Sequence, residues 1–265
     1  MTELTEKELK DESFKVLQKF KEICEKNGFK YCLMYGTLIG AIRHGGFIPW
    51  DDDIDVMMPR PDYEKFVAYC AAHKEELKPL ELMHYKTNEK YIYPIARLSN
   101  SDFFVDYKNT KDYGLGCFVD IYPFDGVNYD DKKYIRKLRT LMKMVGVKSH
   151  VRPAMNGKPL KYPFKLVAFY LFKLFDTKKL IEKLDLLSQK YDYETSDYVE
   201  CVCWEAKFRF DKSLFDNMVM RKFEDDVFCV PERYDELLKA YYGDYMALPP
   251  ENERYGHHFY KAYRK

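Results

Sequence analysis

Residues 35–59 read YGTLIGAIRHGGFIPWDDDIDVMMP, and the densest part of this stretch is Asp51-Asp52-Asp53-Ile54-Asp55. Four carboxylates in five residues repel one another in a folded setting unless cations neutralise them. A metal site is the natural reading, with Mg2+ or Mn2+ as the expected ion. Ile54, Val56 and Met58 alternate with Asp53, Asp55 and Met57, so a strand here places Asp51, Asp53 and Asp55 on one face. Aspartates at i and i+2 on a strand stand about 7 Å apart at Cα. Short side chains leaning together from that spacing grip one hard cation, or two about 3.5–4 Å apart, through oxygen ligands. An isolated acid run is as often a solvated loop. Here Pro49 and Trp50 before it and the apolar residues after it tie it to a core.

The acids are preceded by Gly36-Thr37, which follow the apolar run Phe29 to Tyr35, expected as the first strand. Glycine lets backbone amides approach a phosphate closely, and a helix starting near Thr37 would aim its positive end at it. Gly36 and Thr37 are therefore candidate phosphate-binding residues. Arg43 and His44 lie between turn and acids, where they either hold a phosphate or sit in a surface loop closed by Gly45 and Gly46.

Further candidates lie downstream. In Cys117-Phe118-Val119-Asp120-Ile121-Tyr122 one acid interrupts an apolar strand. A buried lone aspartate costs several kcal/mol, about 2–7 for a polar group and more for a charge, unless a partner or metal compensates. Asp120 is thus the candidate third carboxylate. Arg97, within Tyr91–Leu98, is a candidate for the nucleotide phosphates or else a surface cation. Asp125 reads as a turn former in Pro-Phe-Asp-Gly. Trp204 lines a pocket or fills the core, and Arg254 and His257 are placed to reach back to the site.

The stretch YGTLIGAIRHGGFIPWDDDIDV resembles the signature of the LicD family of phosphocholine transferases, whose relatives include the fukutin-related glycan-modifying enzymes. FVDIYPFD (118–125) and the tail from Gly243 to Pro250, with Arg254 and His257, are also similar to that family, so the resemblance runs from about residue 29 to 258. It implies a nucleotidyltransferase-like fold and transfer of phosphocholine from CDP-choline, or a related CDP-alcohol, to a hydroxyl of a cell-surface glycan or its lipid-linked precursor, releasing CMP. The residues by themselves reach only to metal-dependent transfer of a phosphate-bearing group from a nucleotide donor, with Asp53, Asp55 and Asp120 as metal-binding catalytic acids. Two alternatives stand beside it: a nucleotidyltransferase that uses an NTP and releases pyrophosphate, and a nucleotide- or glycan-binding protein without turnover. Relatives that move other polyol phosphates share the same acids.

The rest of the chain reads as a soluble globular α+β protein, a mixed β-sheet core flanked by helices with a basic helical insertion. Residues 3–27 have the spacing of an amphipathic helix stopped at Asn27-Gly28, and Pro61 to His73 that of a second. Short β-like pieces fill Leu80 to Tyr122. Tyr198–Cys203 and Lys207–Phe210 read as strands, and Pro231 to Tyr242 as a helix. The expected division is 1–130 as catalytic core, 131–192 as insertion, and 193–265 as a segment completing core and site.

The net charge of +1 conceals an asymmetry: residues 132–190 hold 16 Lys and Arg against three acids, a surplus of +13 that leaves −12 elsewhere. Within that basic segment KLVAFYLFKLF (165–175) reads first as a buried core helix, while the charge asymmetry favours the alternative, docking on an anionic membrane surface or on a polyanionic acceptor. Seven cysteines without a Cys-x-x-Cys pair argue for reduced thiols. The acidic, polar start MTELTEKELKDE is not a signal peptide pattern, so the expected location is cytoplasmic, peripheral to the membrane at most, and no nucleic-acid partner is expected. Aromatic residues make up 17% of the chain, a supply suited to stacking on bases, sugars or quaternary ammonium groups, although most rings are expected in core and rim.

Overall fold

The structure is a computed structural model that describes residues 1–107, 110–153, 162–256 and 260–265. In chain order the elements are β1 (Thr2–Glu3), α1 (Glu6–Asn27), β2 (Cys32–Leu33), α2 (Tyr35–Ile39), β3 (Asp55–Pro59), α3 (Arg60–Ala72), β4 (Leu80–Met83), β5 (Ala96–Asn100), β6 (Phe103–Tyr107) and β7 (Cys117–Gly126). After these come α4 (Lys132–Ser149), α5 (Tyr162–Lys173), α6 (Thr177–Ser188), β8 (Tyr198–Glu200), β9 (Phe210–Asp211), β10 (Met218–Phe223), β11 (Asp226–Pro231), α7 (Tyr234–Tyr242) and β12 (Tyr260–Arg264).

The fold is α+β. Its centre is a mixed seven-stranded sheet in the order β2-β3-β7-β5-β4, with β8 and β9 continuing from one end of β7. Among the described residues only β3 and β7 run parallel; the other neighbours are antiparallel. The expected alternation across Asp53 to Met58 is present from Asp55 onward, yet all five residues of β3 are buried because the strand lies inside the sheet with helices over it. Asp51 to Ile54 do not belong to the strand; they form the loop that enters it.

Local signals account for the helix ends. Thr5 and Glu8 form a capping box at the start of α1, with the Thr5 hydroxyl accepting from the Glu8 amide at 3.2 Å and the Glu8 carboxylate accepting from the Thr5 amide at 2.8 Å. Gly28 closes the helix at φ 68°. The apolar face of α1, Val16, Leu17, Phe20 and Cys24, packs into one core shared with the sheet, α3, α4, α6 and α7.

Four expectations are corrected. The first strand shrinks to Cys32–Leu33, and the helix after it begins at Tyr35, not near Thr37, then widens into a π-helical turn over Gly40–His44. The second pair of expected strands also shortens, to Tyr198–Glu200 and Phe210–Asp211. Asp125 is no turn former. It is buried within β7, where Arg60 holds it through both oxygens at 2.6 and 2.7 Å and donates to Asp185 of α6 at 2.9 Å. Tyr85 completes the cluster by donating to Asp185 at 2.7 Å, so one guanidinium ties α3, the sheet and the basic segment together.

The fourth concerns α5. Of its apolar residues only Phe169 is buried, while Phe164, Val167, Tyr170 and Leu171 of the helix and Leu174 just past it are exposed by half or more. It does not enter the core. All seven cysteines are free thiols, six of them buried.

Candidate metal and donor site

The parallel pairing of β3 with β7 places Asp55 opposite Asp120 in register. The Asp120 amide donates to the Ile54 carbonyl at 2.8 Å, and the Asp55 amide donates to the Thr37 hydroxyl at 2.8 Å. Backbone bonds from two elements therefore fix the acids' positions before any side chain is considered. One carboxylate oxygen from each of Asp53, Asp55 and Asp120 lies within 4.8 Å of the others, and Asp51, Asp52 and Asp53 form a second such group.

The two strand acids differ in their surroundings. Asp120 is 4% exposed and paired with Arg97, its register partner on β5, through both oxygens. That guanidinium lies between the rings of Tyr93 and Phe118, 4.8 and 4.7 Å from their centroids. Asp55, 6% exposed, has an Oδ1 with no hydrogen-bond partner. Burial, and after it the charges of Asp53, Asp120 and Asp51, raise its proton affinity well above the ordinary carboxylate range, against a hydrogen bond from Tyr122. A buried, unpartnered carboxylate oxygen facing two further acids is the environment a divalent cation fits: it supplies the missing charge and accepts oxygen ligands.

A cavity of about 500 Å3 opens beside these acids. Its wall is aromatic: Tyr35, Trp50, Tyr122, Trp204, Tyr241 and Tyr242, with Asp51, Asp53 and Asp55 on the acid side. Tyr35 packs edge-on to Tyr122 at 5.2 Å and against Tyr241 at 5.8 Å, and Tyr122 meets Trp204 at 6.1 Å. Tyr35 holds φ at 51°, a left-handed conformation that a bulky residue adopts only where its surroundings impose it. At Gly36 a Cβ would stand 2.5 Å from Asp51 Oδ2, so a larger residue there displaces that carboxylate.

The remaining candidates take different parts. The Thr37 hydroxyl, expected at a phosphate, is buried and taken by the Asp55 amide, which makes Thr37 a support of the acid strand. Arg97 is engaged with Asp120. Arg43 donates to the carbonyls of Tyr245 at 2.6 Å and Ala247 at 3.3 Å and to His44 Nε2 at 2.9 Å, so it anchors the segment after α7. Burial, followed by the Arg43 charge, lowers the basicity of His44, which stands edge-on to Trp50. Arg254 does come back to the acid loop, over the Trp50 ring at 5.8 Å. His257 lies outside the described residues. Trp204 lines the cavity, as one of the two sequence readings had it. Tyr35, Trp50, Tyr122, Tyr241 and Tyr242 were not singled out for a site; their only signal was the abundance of rings.

The comparisons with known proteins converge on one group. A family profile described as LicD/FKTN/FKRP, nucleotidyltransferase domain, matches residues 28–165. The lipopolysaccharide cholinephosphotransferase LicD of Haemophilus influenzae is 32% identical over 272 residues, which covers 99% of this chain and 99% of that protein. The human ribitol 5-phosphate transferase FKRP is 32% identical over 103 residues, 38% of this chain and 18% of that protein. With the profile spanning the Gly36 helix, the acid loop and β7, and a full-length relative aligned end to end, the chain belongs to the LicD family.

Proposed function

We propose that this protein transfers phosphocholine, or a similar alcohol phosphate, from a CDP-linked donor to a hydroxyl of a cell-surface glycan or its lipid-linked precursor and releases CMP, acting on the cytoplasmic side. The observation that carries this reading is the convergence of Asp53, Asp55 and Asp120 beside an aromatic cavity, in a chain aligned over 99% of its length with a cholinephosphotransferase.

The acceptor oxygen bonds to the phosphorus that bears choline, the bond from that phosphorus to the CMP oxygen breaks, and the hydroxyl proton is released. Asp53, Asp55 and Asp120 would hold Mg2+ or Mn2+, with Asp51 at the edge of the group. Bound there, the ion neutralises the donor diphosphate and the charge that develops on departing CMP. Thr37 keeps Asp55 in position from behind. Arg97 keeps Asp120 in place and sets a positive charge against it. Gly36 leaves room for Asp51 against the helix. The cavity rings offer π faces to a trimethylammonium head, an attraction worth about 0.5–2 kcal/mol per well-placed ring.

The test is CMP release from CDP-choline, CDP-ethanolamine and CDP-ribitol with Mg2+, beside pyrophosphate release from NTPs. CDP-choline is expected to give the highest kcat/KM. A preference for CDP-ribitol would assign the other alcohol named among the relatives, and pyrophosphate without CMP would replace the reading with nucleotidyl transfer.

A further inference from the structure

The outward side of α5 is an apolar surface that the other described residues do not cover. Phe164, Val167, Tyr170 and Leu171, with Leu174 and Phe175 just past the helix end, are each at least half exposed. Spacings of three and four residues gather Phe164, Val167, Leu171 and Leu174 into one stripe. The helix is held firmly from behind. Phe169 is buried beneath it, Lys148 of α4 donates to the carbonyls of Lys173 and Phe175 at 2.8 and 2.5 Å, and Lys173 donates to the His150 carbonyl at 2.5 Å. The stripe is therefore presented on a braced helix.

Charge identifies what fits it. The stripe lies within the +13 segment 132–190, and of the three acids there Asp185 is buried against Arg60. Exposed Lys178 and Lys179 follow the stripe directly. Two copies of the chain meeting through this face would bring two +13 segments together, whereas an anionic lipid surface attracts each basic residue by about 1 kcal/mol and takes up the apolar side chains below its headgroups. We propose that α5 docks the protein on an anionic membrane surface, with Phe164, Val167, Leu171 and Leu174 inserted at the headgroup boundary. Among the described residues no helix is long and apolar enough to cross a membrane, so the contact is peripheral. A cavity of about 330 Å3 between α4 and Trp204 adjoins this region, and Trp204 also lines the cavity beside the acids.

The experiment is co-sedimentation of the full chain with vesicles of phosphatidylcholine containing about 30% phosphatidylglycerol and with phosphatidylcholine alone, at low and high salt. Binding is expected to the anionic vesicles only and to fall severalfold in high salt. Val167→Asp combined with Leu174→Asp, both at exposed positions, is expected to weaken it at least about tenfold, and Lys178→Glu with Lys179→Glu by about tenfold. CMP release from CDP-choline in vesicle-free solution is expected to stay unchanged in both variants. Wild-type protein that remains in the supernatant, or variants that bind as well as wild type, would overturn the proposal. So would a wild-type dimer in sedimentation velocity that Val167→Asp with Leu174→Asp converts to monomer, since that assigns the face to self-association. Vesicle binding requires no donor, so its failure and that of the donor assignment are read separately.

Discussion

Asp55 and Asp120 face each other across the single parallel strand pair of the central sheet, yet only Asp120 has a guanidinium against it. The sheet thereby builds a half-neutralised site. Arg97 compensates the burial of one carboxylate, and the other keeps an oxygen without a partner beside Asp53. Repulsion among the remaining charges is the free energy that a bound divalent ion removes.

The first prediction separates stability from activity at Asp55. Asp55→Asn removes a buried charge that the fold does not compensate, so in chelator the unfolding free energy measured in urea is expected to rise by about 1–3 kcal/mol. Turnover of the best donor is expected to fall at least about a hundredfold. A variant that lost stability and kept its activity would contradict the assignment of Asp55 as a metal-binding acid.

Adding the ion is expected to do what the substitution does, by another route. Saturating Mg2+ or Mn2+ is expected to stabilise the wild-type protein by about 2.7 kcal/mol at a hundred times Kd, read as a rise in melting temperature that EDTA reverses. Asp53→Asn is expected to lose most of that rise. An equal thermal response in wild type and Asp53→Asn would place the ion elsewhere.

Gly36 tests the role of a single hydrogen atom. Gly36→Ala puts a methyl group where Asp51 Oδ2 now stands, 2.5 Å from the built Cβ. The carboxylate must move. The expected result is a KM for the donor raised about tenfold with stability changed by no more than about 1 kcal/mol. Unaltered kinetics would show that Asp51 has no part in donor binding.

Arg60 carries the polar joint between the sheet and the basic segment. Arg60→Met leaves Asp125 and Asp185 buried without their cation, a change that costs about 3–5 kcal/mol. Asp125→Asn in the same chain is expected to restore part of the loss, which urea unfolding of the single and double variants would reveal. Strict additivity of the two substitutions would refute the coupling.

His84 predicts the acid side of the stability profile. Burial, followed by the Lys86 charge, pushes its pKa down to about 3 from 6.5, and it packs against Tyr63 and Tyr85. The folded state keeps it neutral while the unfolded state takes up a proton below 6.5. Its contribution is complete above that pH and is lost progressively down to about 3. At pH 5 the loss is about 2 kcal/mol, and His84→Asn is expected to flatten this part of the curve. An unchanged slope in urea unfolding between pH 7.5 and 5 would remove His84 from the account.

Much of this protein is legible in its residues because the signals are local. Capping chemistry and periodicity mark α1 and α3 to within a few residues. The run Asp51 to Asp55 marks the candidate metal site by charge density alone, and Asp120 stands out as one acid in an apolar strand. The length and composition of the motif from Tyr35 to Val56 carried the family assignment. What the order of residues leaves undetermined is which distant groups meet. Strand register alone brings Arg97 to Asp120, and packing of α3 against β7 and α6 turns Asp125 from an apparent turn former into a buried ion-pair partner. The ring set around the cavity is drawn from five separate places in the chain. Helix α5 shows the limit most plainly, since an apolar pattern records that a side chain avoids water but not what covers it, and only the assembled fold reveals that its own core does not.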